Sequence, residues 1–426
     1  MDKLSTIAQA IFDEIRQASK DAMGVSRESF GAGENAALQI LEQNAKALGL
    51  ACSWDRLRNL WIHLPQDTLQ GPGVIIGSHA DSVPQGGNYD GLAGIVAGLL
   101  VLLQIRASDT PSPHPVRVLA LRGEESAWYG KAYMGSLALF GKLSASELDN
   151  PHRSEARTLR QAMISCGIDV SSIERAEPAI DKQNIVAYLE LHIEQGPVMV
   201  AREWPVAAVT GIRGNVRHNR IRCIGETGHS GAVPRWLRKD SVLAMAELLS
   251  RLDEHWRVLL QMGMDLVMTV GICSTRPESH AVSVIPGEVS FSFEVRSQDP
   301  QTLQQFYQLM LDECDRIEKA RGVRFEFDRK IETAPAKVDE HWLNQLCEAG
   351  TNILGTPLEK IPSGAGHDAA VFANEGVPAA MLFIRNAHGS HNPHEEMDLQ
   401  DFLLGTRVLA QAVLQSPVPG IQKAQD

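Results

Sequence analysis

Two spacings of apolar residues alternate along the first two hundred positions of the chain. Gly73 to Ser78 (GVIIGS) and Val116 to Leu121 (VRVLAL) are short, solid runs of aliphatic and β-branched residues, as expected of parallel strands buried on both faces. Between them, Gly94 to Ile105 is an apolar stretch of helical length. The strand signature returns late in the chain at Ala379 to Ile384 (AAMLFI), behind the Gly-rich loop Ser363 to Asp368. These runs predict an α/β fold: a mixed, mostly parallel sheet with helices on both faces.

The middle of the chain has a different rhythm. Val216 to Ile224 and Ala281 to Arg296 alternate apolar and polar residues, the mark of strands with one face covered, whereas Asp240 to Leu260 and Asp299 to Lys319 have helical periodicity. A last strand near Val323 to Phe327 completes the order strand, helix, strands, helix, strand, which predicts an inserted α+β domain of ferredoxin-like type. Boundaries near Gly211 and Thr333 leave 1–210 and 334–426 as one larger domain, with 211–333 inserted into it. The last ten residues read as a frayed tail.

Composition narrows the class. The 426 residues are 44% hydrophobic and 22% charged, which suits a folded enzyme. The formal net charge is −12, and Lys and Arg are scattered without runs, so nucleic acid is not an expected partner. Met1 to Lys20 mixes charged and apolar residues as an amphipathic helix does and lacks the apolar core of a signal peptide. Gly94 to Ile105 falls well short of the roughly 20 apolar residues that span a bilayer, so no membrane partner is expected. Six widely spaced cysteines without a C-x-x-C pair read as reduced thiols of a cytoplasmic protein.

Candidate chemistry stands at the ends of the strand-like runs. Ser78-His79-Ala80-Asp81 follows the first, where open α/β sheets place their ligands. Asp81, two residues on, can accept the second imidazole N–H of His79 and fix its tautomer, as the outer partner of a metal-bound histidine does. Asp90 lies in the Gly-rich stretch Gly86 to Gly91, whose backbone freedom lets a carboxylate turn back toward the same place. Glu124 and Glu125 follow the second strand; two adjacent carboxylates repel unless a metal or a proton offsets them. His192 alternates with Glu190 and Glu194 in ELHIEQGP, and His391 sits in GSHNPHEE. Any of these alone is ordinary surface, turn or helix-cap material. Three histidines and three acidic residues, each behind a strand, form a mixed N/O donor set suited to zinc, manganese or cobalt rather than calcium.

The ordered motifs HADSVPQGGNYDG, RGEES, ELHIEQGPV, GETGHSGAVP, SGAGHDA and GSHNPHEE, from about Gly31 to about Leu404, resemble the amidase, hydantoinase and carbamoylase branch of dinuclear zinc peptidase-like amidohydrolases. That branch includes N-carbamoyl-L-amino-acid hydrolases, allantoate amidohydrolases and β-ureidopropionases. The resemblance implies two divalent ions per chain, most simply zinc, with manganese, cobalt or nickel as alternatives. It implies His79 and His192 on one ion, Glu125 and His391 on the other, Asp90 bridging, and Glu124 as general base. It further implies that His229 of GHSG steadies the oxyanion, that Arg296 grips a substrate carboxylate, that 1–210 with 334–426 form the metal-binding catalytic domain, and that the inserted domain, 211–333, is a lid and the dimerisation surface of a homodimer.

The sequence departs from the family pattern at two positions that usually help bind substrate: Asn215 stands where a Gln is common, and Ser283 where an Asn is. The expected substrate is a small carboxylate-bearing ureido or acyl amino acid, cleaved at a linear C–N bond. A dinuclear aminopeptidase or dipeptidase shares the ligand order but fits Glu-Gln-Gly-Pro and SGAGHDA less well. A catalytically inactive binding module would have no reason to carry all five ligands and Glu124.

Overall fold

The structure is a computed structural model of the chain and describes residues 3–279 and 281–415. The C-terminal tail falls outside them. The chain divides into two compact units, Met1–Thr210 with Lys337–Asp426, and Gly211–Ala336.

The larger unit is built on a nine-stranded sheet. Its centre is parallel: Val116–Leu121, Gly73–His79, Ile185–Ile193 and Ala379–Ile384 lie side by side in that order, with antiparallel strands toward the edges. The three runs that the sequence marks as strands are wholly buried, which is why they carry no polar alternation. Leu92–Ala107 packs across one face together with Lys3–Ser19, Ala32–Ala47 and Leu399–Gln415, burying Val74, Ile76, Val118 and Leu189 beneath them. On the other face Tyr188 stacks on Phe372 at 3.8 Å between ring centroids. All parallel strands end at the same sheet edge, so their last residues and following loops converge there.

The smaller unit has a six-stranded antiparallel sheet around Gly214–Ile224 and Glu288–Ser297, with helices Ser241–Gln261 and Pro300–Arg321 packed on one face. Val216, Ile221, Phe291, Phe293 and Val295 meet Leu248, Leu252, Phe306 and Met310 in its core. Both helices start on an aspartate, Asp240 or Asp299, whose carboxylate accepts a first-turn backbone N–H. The single alternating stretch expected over 281–296 is two strands, Val284–Ile285 and Glu288–Ser297. Pro286 has no N–H to give a ladder, and Gly287 packs against Thr227, so the chain breaks there and changes partner.

Candidate metal centre

Four loops at the C-terminal edge of the parallel strands bring together five of the residues expected to bind metal. His79 ends its strand, and His192 lies one residue from the end of a neighbouring one; both are almost wholly buried. Their Nε2 atoms face the same oxygen of Asp90: Oδ1 lies 3.4 Å from His79 and 3.2 Å from His192. The other oxygen, Oδ2, lies 3.5 Å from Nε2 of His391, which in turn is 3.5 Å from Oε1 of Glu125. One carboxylate therefore stands between two donor groups, His79–Asp90–His192 and Asp90–Glu125–His391, each with its donor atoms within 4.8 Å of one another.

Backbone conformation builds this arrangement. Gly91 has φ +68°, and a Cβ placed there would stand 2.4 Å from Cε1 of His79, so only glycine leaves room for the ring. His391 itself adopts φ +61°, as does Gln195 at +63°; strain of this kind in non-glycine residues collects at functional sites. Gln195 donates from Nε2 to Asp90 Oδ2 at 2.7 Å, while its Oε1 is buried without a partner among the described residues.

Asp81 does more than orient a histidine. Its Oδ1 lies 3.3 Å from His79 Nδ1, which also sits 3.1 Å from the Asp81 carbonyl. The same carboxylate accepts the backbone N–H of Glu124 at 3.0 Å on Oδ1, and on Oδ2 that of Glu125 at 3.1 Å and the Ser29 hydroxyl at 2.5 Å. One buried side chain thus ties the His79 loop to the Glu124–Glu125 loop.

The electrostatics call for cations. Burial, and after it the neighbouring Glu125 carboxylate, pushes Glu124 well above the ordinary glutamate range, although His79 opposes this; Glu125 is raised in the same way by burial and by Asp90. Burial pulls the His79 pKa down, but hydrogen bonds to Asp81 and Asp90 more than reverse it. Carboxylates crowded this closely in a buried site are satisfied by divalent ions, which would also compete with protons for the imidazole nitrogens. Three imidazoles with carboxylate oxygens are borderline-soft and hard donors, the mixture that zinc, manganese and cobalt accept.

Several residues of the site lie outside the set of site residues expected from the sequence. Arg27 is fully buried and donates to the carbonyl of Ala80 at 2.7 Å and to Asn88 Oδ1 at 3.2 Å, setting a fixed positive charge beneath the acidic cluster. Glu34, also fully buried, accepts from the N–H of Gly123 and of Phe30, each at 2.8 Å, and from Arg122 Nε at 2.7 Å. Glu395 accepts from the N–H of Tyr89 and from Ser390, whose hydroxyl also reaches Asp90 Oδ2; burial and the Asp90 charge push its pKa up to about 7. Glu190 and His367 flank His192 from the other side, forming a third donor group. The histidine in SGAGHDA and the first glutamate in HNPHEE are the available signals for His367 and Glu395.

The other expected site residues lie in the smaller unit, in two pairs. His229 is exposed on the two-residue strand Gly228–His229, in register with Val284 and so next to Ser283, whose carbonyl accepts the N–H of Ser230 at 2.8 Å. Arg296 lies directly across from Asn215. The guanidinium does not stand unpaired: Glu294 holds it through two hydrogen bonds, both 3.0 Å. Asn215 Oδ1 is buried with no hydrogen-bond partner among the described residues.

Comparison with known proteins agrees with the fold. The chain belongs to peptidase family M20/M25/M40, whose description matches residues 75–415. Within that family it is 33% identical to an N-carbamoyl-L-amino acid amidohydrolase of Geobacillus stearothermophilus, covering 92% of this chain and 93% of that protein. It is 30% identical to the allantoate amidohydrolase of Escherichia coli K12 over 87% of this chain and 88% of the relative. A hydantoinase/carbamoylase family amidase from Burkholderia ambifaria has a crystal structure that superimposes with a TM-score of 0.82 at 28% identity, covering 97% of this chain and 95% of that one.

Proposed function

We propose that the chain is a dinuclear metal-dependent amidohydrolase that cleaves the linear C–N bond of an N-carbamoyl, ureido or N-acyl amino acid. The observation that carries the reading is the Asp90 carboxylate set between His79 and His192 on one side and His391 with Glu125 on the other. His79 and His192 would hold one ion, Glu125 and His391 the second, and Asp90 both; zinc is the first expectation. Bound there, the ions supply Lewis acidity toward a carbonyl oxygen and ease deprotonation of a water. Glu124 takes the proton from the attacking water and passes it to the departing nitrogen. Asp81 keeps Glu124, Glu125 and His79 in register. His229 steadies the charge that grows on the carbonyl oxygen, Arg296 binds the substrate carboxylate, and Asn215 and Ser283 give neutral hydrogen bonds to the rest of the molecule.

The inserted unit serves as lid and as the surface of a homodimer. The names of the relatives support the substrate class, and the six unpaired thiols support a cytoplasmic setting. Among the described residues no helix is long and apolar enough to cross a membrane. A panel of N-carbamoyl, N-acyl and ureido acids, assayed with zinc, manganese, cobalt or nickel after removal of metal by chelation, tests the assignment. Turnover should be lost on chelation and restored by one of these ions, and activity retained by thoroughly stripped enzyme would end it.

A further inference from the structure

The two donor groups are not held alike. His79 and His192 stand on strands of the sheet and are almost wholly buried, whereas His391 rides on a loop with 53% of its side chain exposed. A short hairpin, Asn386–Ala387 against Glu396–Met397, closes that loop at its base. Glu395, next to the hairpin, turns back into the protein and is buried. Its Oε1 accepts the N–H of Tyr89 at 2.8 Å and that of Asp90 at 3.3 Å. Gly87 packs directly on it, and a Cβ at that position would overlap the Glu395 carboxyl group. Its Oε2 accepts from the Ser390 hydroxyl at 2.6 Å, and the same Oγ lies 2.5 Å from Asp90 Oδ2, the oxygen that faces His391. The hydroxyl has one hydrogen for two carboxylates, so Glu395 can receive it when Oδ2 is drawn to a cation. Glu395 and Ser390 thus tie the Asp90 loop to the His391 loop. On the Oδ1 side the strands themselves fix the histidines.

We propose that Glu395 and Ser390 are positioning residues for the second ion, the one assigned to Glu125 and His391: they hold Asp90 Oδ2 opposite His391 Nε2 so that both can reach one cation. This rests on the dinuclear reading of the site and adds the groups that make its exposed half bind. Ligands held in place before an ion arrives lose less freedom when it binds, and outer partners of metal ligands are commonly worth about 10- to 100-fold in metal affinity. The effect falls on the second ion because its histidine has no strand to fix it.

The test is zinc binding to the full chain, stripped by chelator and dialysed against zinc buffered over a range of free concentrations, with ions per chain counted by elemental analysis. The native chain should take up two ions. Ser390→Ala should weaken one of them about tenfold, the scale of one charge-assisted hydrogen bond, and leave the other within about twofold. Glu395→Ala should weaken the same ion by about a hundredfold. In a Glu125→Gln chain, whose second ion has already lost its carboxylate, adding Ser390→Ala should not change retention of the remaining ion. Stripped Ser390→Ala should melt close to the native chain, which separates positioning from folding. Equal weakening of both ions would mark a structural role and overturn the proposal, as would native-like uptake of both ions by Ser390→Ala. Should Glu395→Ala fail to fold, Ser390→Ala alone decides. If the native chain takes up fewer than two ions, the dinuclear reading fails first and the proposal falls with it.

Discussion

Replacing Asp81 by asparagine is expected to cost roughly ten- to a hundredfold in metal affinity or in kcat/KM. In the native site one carboxylate accepts the N–H of Glu124 on Oδ1 and the N–H of Glu125 on Oδ2. It also accepts the Ser29 hydroxyl and lies 3.3 Å from His79 Nδ1. An asparagine is nearly the same size, so no cavity opens, but it has one acceptor oxygen. Its NH2 must then face either a backbone N–H or the imidazole, donor against donor. Losing one hydrogen bond to a buried charged group costs about 1.5 to 3 kcal/mol, and each 1.4 kcal/mol is a factor of ten. Outer partners of metal-binding histidines show the same range when removed. The assay is retention of metal in dialysis against graded chelator, followed by kcat/KM at saturating metal. A variant that holds metal and turns over like the native enzyme would refute the claim that Asp81 ties the two loops together.

Other outcomes follow from neighbouring contacts. Glu124→Gln should keep its metal and lose on the order of 10²- to 10⁴-fold in kcat, whereas Glu125→Gln should chiefly weaken metal binding; metal analysis alongside kinetics separates them, and swapped phenotypes would reverse the assignment. Gly91→Ala should lose metal retention while remaining folded by circular dichroism, because its Cβ would stand 2.4 Å from the His79 ring at a backbone φ of +68°; native-like metal binding would show that the ring can move aside. Glu34→Ala should lower the denaturant midpoint by an amount equivalent to about 3 to 5 kcal/mol, since it strands the buried Arg122 without its carboxylate, and an unchanged midpoint would contradict that account.

Much of the fold is legible because buried parallel strands are written as solid apolar runs, and the one-sided sheet of the smaller unit as alternation. The break at Pro286 and Gly287 was hidden by alternation that continues through it. At the site, the residues that carry chemistry stand directly behind strand runs, so topology alone implies that His79, Glu124, Glu125 and His192 are neighbours. Asp90 and His391 arrive on loops, and their closeness to the others depends on backbone turns at Gly91 and at His391 itself. Arg27 and Glu34 lie in the run SRESFGAGEN, where nothing separates a buried charge from a solvated one. Their role comes from long-range packing: Glu34 meets Gly123, and Arg27 meets Ala80, across dozens of residues. The Glu294–Arg296 pair could be foreseen as sharing a face, but not that both carboxylate oxygens would be committed to one guanidinium.

The most direct test of the central claim is the ratio of kcat/KM for an N-carbamoyl amino acid to that for a dipeptide of the same side chain, measured on chelator-stripped enzyme before and after reconstitution with zinc or manganese. The account predicts no turnover of either substrate without metal, and after reconstitution of about two ions per chain a ratio well above one. Preference for the dipeptide would place the chain among peptidases of its family, and metal-free hydrolysis of the carbamoyl substrate would contradict the site itself.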